Sequence, residues 1–169
     1  MDQRPKNLGD RLLIALSDTP ESLEMLRQVA KNLPNPANTF ITLMHYLAPI
    51  YWEHGGVESP EDLEQIRHEE ERIEEAEIEE EQETEHYFER ARTILERAGV
   101  PSQQIDATVH YDENSAAEAV LTELKDGAYT GVIMGAEHHT KLLGLLGGPV
   151  TDVLRKHDPN VVVWVVEVE

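Results

Sequence analysis

The chain contains no cysteine. That one absence removes disulfides, thiolate nucleophiles and cysteine-based metal sites together. It fits a reducing compartment, and a cytoplasmic location is the expectation. No apolar run reaches 18 residues, so no membrane insertion is expected. The first residues, Met1 to Lys6, lead into no apolar stretch and do not read as a secretory signal. Cations are scarce: 14 Lys and Arg stand against 34 Asp and Glu, a net charge of −20. A field of that sign repels nucleic acid and anionic lipid, so no nucleic-acid partner is expected. No G-x-S-x-G elbow and no H-E-x-x-H are present, so hydrolase and zinc-protease chemistry lack their usual frames.

What is present is a chain of 169 residues, 40% of them hydrophobic, enough for one domain with a core. The acidity is concentrated. Residues 58–97 hold 17 acidic and 5 basic residues, a net of −12, while the remaining residues carry only −8.

Residues 1–10 are polar and read as a mobile arm before a domain spanning 11–167. Arg11 to Leu16 is an apolar run of strand length, of the kind buried on both faces of a parallel sheet. Ser17-Asp18-Thr19-Pro20 then offers caps and a first-turn proline for a helix with Leu23, Leu26, Val29, Ala30 and Leu33 on one face. Pro34-Asn35-Pro36 stops that helix. Thr39 to Tyr46 is a second strand.

A long Glu-rich helix follows over 60–98. Apolar residues gather near its two ends, Leu63, Ile66 and Ile73, then Tyr87, Phe88, Ala91, Ile94 and Leu95. Between Glu74 and Glu85 only Ala76 and Ile78 are apolar, so the middle should project into solvent or break. Gly99-Val100-Pro101 ends the helix.

Ile105 to Tyr111 alternates apolar and polar, as a strand near a sheet edge does. Asn114 or Ser115 caps a helix with Ala116, Ala119, Val120 and Leu124 facing inward. Thr130 to Gly135 is a fourth buried strand, followed by a glycine-rich loop to Gly148 and a short helix from Pro149 to His157. Val161 to Val166 is a fifth strand. Strict β-α alternation predicts right-handed crossovers and a Rossmann-like, doubly wound α/β domain with a five-stranded parallel sheet.

Three segments carry a family likeness. They are Ile14-Ala15-Leu16-Ser17-Asp18-Thr19, Val132-Ile133-Met134-Gly135, and Gly148-Pro149-Val150-Thr151-Asp152 through Pro159 with its valine strand. With them the chain resembles the universal stress protein family over about residues 10–167. The resemblance implies the adenine nucleotide alpha hydrolase-like fold with strand order 3-2-1-4-5. It also implies a regulatory, non-enzymatic stress-response module and an adenine-nucleotide pocket.

The family's nucleotide binders carry G-x-x-G, nine residues, then G-[ST]. Here the positions fall on Gly135, His138, Gly148 and Pro149, with Thr151 two residues later. Glycines let backbone N–H groups approach phosphate, and the hydroxyl adds a donor. Pro149 removes a hydroxyl and an N–H, and His138 adds bulk. Losing two hydrogen bonds to phosphate costs on the order of 3–6 kcal/mol, enough to carry micromolar affinity to millimolar. ATP or AMP binding is therefore expected to be weakened, with magnesium present only as the nucleotide's own ion.

The aspartate usual after the first strand is replaced by Ser17, with Asp18 adjacent. The resemblance places the pocket at Ser17, Asp18, Thr19, Met44, Met134, Gly135, His138, Gly148, Val150 and Thr151. Gly135 and Gly148 would approach phosphate, Thr151 would donate a hydroxyl, and Met134 would form an apolar wall. His45, His138 and His139 suggest a metal site less readily than exposed histidines, because adjacent histidines point apart.

Family members pair their last strand with a twofold mate, so a homodimer through Val161–Val166 is the implied assembly. The acidic helix is a solvated surface, a docking arm for a basic protein partner or a dimer element. With no nucleotide bound, the dimer would serve as a scaffold for that partner.

Overall fold

The computed structural model describes residues 4–6, 8–17, 19–47, 60–111, 116–135 and 160–167. Five strands form one parallel sheet: β1 (Arg11–Leu16), β2 (Phe40–Tyr46), β3 (Ile105–His110), β4 (Gly131–Gly135) and β5 (Val162–Val166). Their order is β3-β2-β1-β4-β5, as the family resemblance implies. Three helices connect them among the described residues: α1 (Pro20–Lys31), α2 (Pro60–Arg97) and α3 (Ala116–Asp126). Short 3-10 turns at Pro36–Asn38 and Ser102–Gln104 lead into β2 and β3.

Period-two alternation splits each central strand between two cores. Leu12, Ile14 and Leu16 of β1 face α1 and the second half of α2, beside Ile41, Leu43, Ile133 and Trp164. Leu13 and Ala15 face α3, beside Met44, Val132 and Met134. Both faces of β1 are therefore covered, which is why its run is continuously apolar. Leu8 lies within the segment expected to be an arm, yet it is 2% exposed and belongs to the first core. It reaches that place through Gly9, whose φ of +79° favours glycine.

The helix ends follow their caps. Thr19 Oγ1 accepts from the Ser22 N–H at 3.3 Å, and Pro20 occupies the first helical position of α1. At the other end of α2, Gly99 takes φ +107°. The Gly99 N–H donates to Glu96 O (3.0 Å) and the Val100 N–H to Leu95 O (3.1 Å). That double closure is the Schellman arrangement, and buried Leu95 and Val100 share its apolar side.

α2 is a single unbroken helix of 38 residues, about 57 Å long. Of the two outcomes expected for its middle, a projection or a break, the break does not occur. Its buried residues, Thr84, Tyr87, Phe88, Ala91 and Leu95, all lie in its second half. Leu63 is 53% exposed and Ile78 55%, so the apolar residues of the first half do not form a second packed end. The helix runs back from the end of β2 to the start of β3, so its first half extends past the carboxyl ends of the strands. Residues 60–83 of this extension carry 13 acidic and 2 basic residues. Where it leaves the sheet, Glu81 and Glu85 face Tyr111. Partial burial, then those two carboxylates, push the Tyr111 phenol pKa up.

Candidate functional site

In an open parallel sheet, ligands bind beyond the carboxyl ends of the strands, where the strand order reverses. Here that point lies between β1 and β4. The two ladders of β1 differ in length. β1 pairs with β2 from Arg11↔Phe40 to Leu16↔His45. With β4 it pairs only from Leu12↔Gly131 to Ile14↔Ile133. β4 nevertheless continues its pairing with β5 to Gly135↔Val166. The ladder therefore stops between Ala15-Leu16 on one side and Met134-Gly135 on the other. Backbone polar groups at that parting must find partners outside the ladder, which suits a ligand cradle.

On its α3 side this end of the sheet is apolar. Met44, Ala15 and Met134 come from three adjacent strands, are at most 1% exposed, and share one cluster. Ala15, the smallest of the three, stands in the middle. A Cβ built on Gly135 meets one described atom within 4 Å, the Val166 carbonyl oxygen at 3.9 Å. Among the described residues, the space over Gly135 is open.

The turn after β1 is tied down by its own side chains. The Ser17 N–H donates to Ser22 Oγ (3.0 Å), and the Thr19 N–H donates to the Ser17 carbonyl (2.8 Å). Tyr87 Oη reaches from α2 to donate to the Thr19 carbonyl (3.3 Å). Thr19 is thus occupied on two sides, as the cap of α1 and as the anchor for α2. Sequence reasoning put Thr19 in the pocket. Its hydroxyl oxygen is engaged by the helix start.

Of the expected pocket residues, the structure brings together Ser17, Thr19, Met44, Met134 and Gly135 at one end of the sheet. Asp18, His138, Gly148, Val150 and Thr151 lie outside the described residues, as does the helix expected over 149–157.

Two long-range hydrogen-bonded pairings had no sequence signal. His45 is 8% exposed and lies opposite Leu16, whose carbonyl is 2.9 Å from His45 Nδ1. A carbonyl only accepts, so Nδ1 carries the proton. His45 thereby braces the last residue of β1 from the face opposite Met44. The second feature joins three segments under α3. His110 Nε2 lies 3.0 Å from Glu123 Oε1, and Tyr129 Oη donates to Glu123 Oε2 (2.8 Å). Burial above all, with Glu123 adding to it and Thr42 opposing it, pushes the Tyr129 pKa up to about 12. Among the described residues, no three His, Asp or Glu side chains are placed to hold a metal ion. Nor, among them, is any helix long and apolar enough to cross a membrane.

The model of the universal stress protein family matches residues 9–166 of the chain. No curated protein matches it. Several solved structures share its fold. Hypothetical protein MJ0577 is 19% identical, with a TM-score of 0.63 over 96% of this chain and 98% of that one. A protein of the universal stress protein family from Burkholderia pseudomallei is 15% identical, with a TM-score of 0.54 and the same coverage. A universal stress protein solved in complex with cAMP is 12% identical, with a TM-score of 0.54 over 94% of this chain and 96% of that one.

Proposed function

Because the chain belongs to the universal stress protein family, we propose that it is a non-enzymatic regulatory module of the stress response whose adenine-nucleotide crevice is altered. The observation that carries this reading is the early end of the β1–β4 ladder above an apolar floor of Ala15, Met44 and Met134. That floor suits a purine ring, and a parting between strands supplies backbone donors for polar groups. A universal stress protein of similar fold was solved in complex with cAMP, which supports the choice of an adenine nucleotide.

The alteration rests on sequence. Pro149 and His138 stand where the family motif has a hydroxyl residue and a glycine, and Ser17 stands where it has an aspartate. Triphosphate contacts suffer most from these changes, and base contacts least. ATP, AMP and cAMP should therefore bind with similar, weak affinities, and magnesium should add little. Isothermal titration with each nucleotide, with and without magnesium, tests this. ATP binding tighter than about 1 µM, with AMP far weaker, would refute the altered crevice. Steady turnover of ATP would refute the non-enzymatic reading.

A second reading is favoured by the arm of α2, whose 60–83 stretch is acidic and projects past the same end of the sheet. In that reading the chain is a nucleotide-free dimeric scaffold for a basic protein. Recovery of the purified protein without nucleotide, together with salt-sensitive capture of a basic partner by the arm, would favour it. Either reading places the protein in the cytoplasm as a homodimer paired through Val161–Val166. β5 is an edge strand, and such an edge offers unpaired backbone groups to a mate. Light scattering that gives the mass of one chain at micromolar concentration would refute the dimer.

A further inference from the structure

At the opposite end of the molecule from the crevice, α1 and α2 finish side by side and leave a cavity of about 490 Å³. Its floor is apolar. Ala30 and Leu33 are each 8% exposed, and Ile94 is half-buried beside them. Three exposed cations, Arg27, Lys31 and Arg97, line it as well. In a chain with 14 cations against 34 carboxylates, three cations around one cavity is a local reversal of sign.

The ordinary role of cations at helix C-termini is to serve the last carbonyls and the helix dipole. Here much of that role is already filled. The Asn32 carbonyl receives Arg4 Nη1 (2.8 Å), the Gln28 carbonyl receives Asn32 Nδ2 (2.7 Å), and the Val29 carbonyl receives the Asn32 N–H (3.0 Å). At the end of α2, Gly99 and Val100 close on Glu96 and Leu95. Among the described residues, a carboxylate occupies only one of the three cations. Arg27 pairs with Glu24 at 3.0 Å, an exposed pair. Lys31 and Arg97 have no ion-pair partner among the described residues.

From this geometry we propose that the α1–α2 cavity binds a small anionic amphiphile, a free organic acid with an aliphatic body. The aliphatic part lies on Ala30, Leu33 and Ile94, and the carboxylate sits between Lys31 and Arg97. The volume is in the range of small-ligand sites. An acid of this kind satisfies both halves of the cavity at once. A purely polar anion leaves the floor wetted, and an alcohol of equal length leaves the cations unused. The site is independent of the nucleotide crevice, which opens at the other end of the sheet.

Octanoate is the probe. Methyl-resolved NMR of the full chain should show saturable shifts at Leu33 and Ile94 as octanoate is added. Acetate and octanol should each bind at least roughly tenfold more weakly, as should octanoate to the K31Q/R97Q double variant. Both substituted residues are exposed, and an unchanged thermal melt of the variant verifies that it is folded. Absence of saturable shifts with octanoate would overturn the proposal. So would equal affinity in K31Q/R97Q, or octanol binding as tightly as octanoate. Cosedimentation with phosphatidylglycerol vesicles by a chain indifferent to octanoate would assign the cations to a lipid surface and overturn it too.

Discussion

Removing residues 63–80 should leave the fold standing. The segment is 18 residues, five full turns at 3.6 residues per turn, so Pro60-Glu61-Asp62 re-enters α2 on its original face. None of the excised residues is buried; the buried positions of α2 begin at Thr84. The hydroxyl of Thr84 donates to the Glu80 carbonyl at 2.8 Å, and after excision the Asp62 carbonyl takes that place four residues back. Surface changes of this kind move stability by about 0.5 kcal/mol or less. For a chain of this size the melting temperature should then shift by no more than about 2 °C. The excision removes nine carboxylates and two cations, moving the net charge from −20 to −13. Relief of self-repulsion should raise the melt slightly at 10 mM salt, where the Debye length is about 30 Å, and vanish at 1 M. Differential scanning calorimetry at the two salt concentrations measures both effects. A loss of about 3 kcal/mol or more would mean that the arm packs against the domain, and the reasoning would fail.

Three further outcomes follow from the core and its rim. Gly131→Ala places a Cβ 2.7 Å from Leu8 Cδ1 and 2.9 Å from the Leu8 carbonyl oxygen. Urea unfolding should show a loss of about 1–3 kcal/mol, and neutrality would mean that Leu8 is not held in the core. Leu95→Ala removes a fully buried side chain at the α2 closure and should cost about 2–5 kcal/mol, read in the same assay. Tyr129 titrates at about 12 in the folded chain against 10 when unfolded. Its contribution is present below pH 10 and is lost as the pH rises toward 12, because the unfolded chain gives up the proton first. Alkaline melts of Tyr129→Phe should fall less steeply across that window, and identical slopes would refute the assignment.

The sheet is legible in the sequence because its strands are short apolar runs with clear stops. The run Arg11 to Leu16 reads directly as β1, and the family likeness supplies the strand order. α1 is legible through Thr19 and Pro20, and the end of α2 through Gly99. Pairings between distant side chains are harder to read. Nothing in the local pattern around His45 points to the Leu16 carbonyl, 29 residues earlier, and nothing links His110 to Glu123 before α3 is docked. Leu8 is hidden by its setting: one apolar residue in a polar stretch gives no periodicity. The exposure of Leu63 is similar, since apolar residues at both ends of a helix suggest two packed ends, and the fold covers one. Met44, Met134 and Gly135 read as late strand residues, and the structure puts them together at the carboxyl end of the sheet. Thr19 reads from the sequence both as a helix cap and as a crevice residue, and the structure shows the cap, with its hydroxyl oxygen accepting from the Ser22 N–H.

The unbroken α2, about 57 Å long, is longer than a compact domain of this mass is wide, so the chain is elongated. A body of that outline drags on solvent more than a sphere of its 19.1 kDa mass. On a sizing column one chain will therefore emerge early, ahead of compact standards of equal weight, and an elution volume alone will overcount subunits.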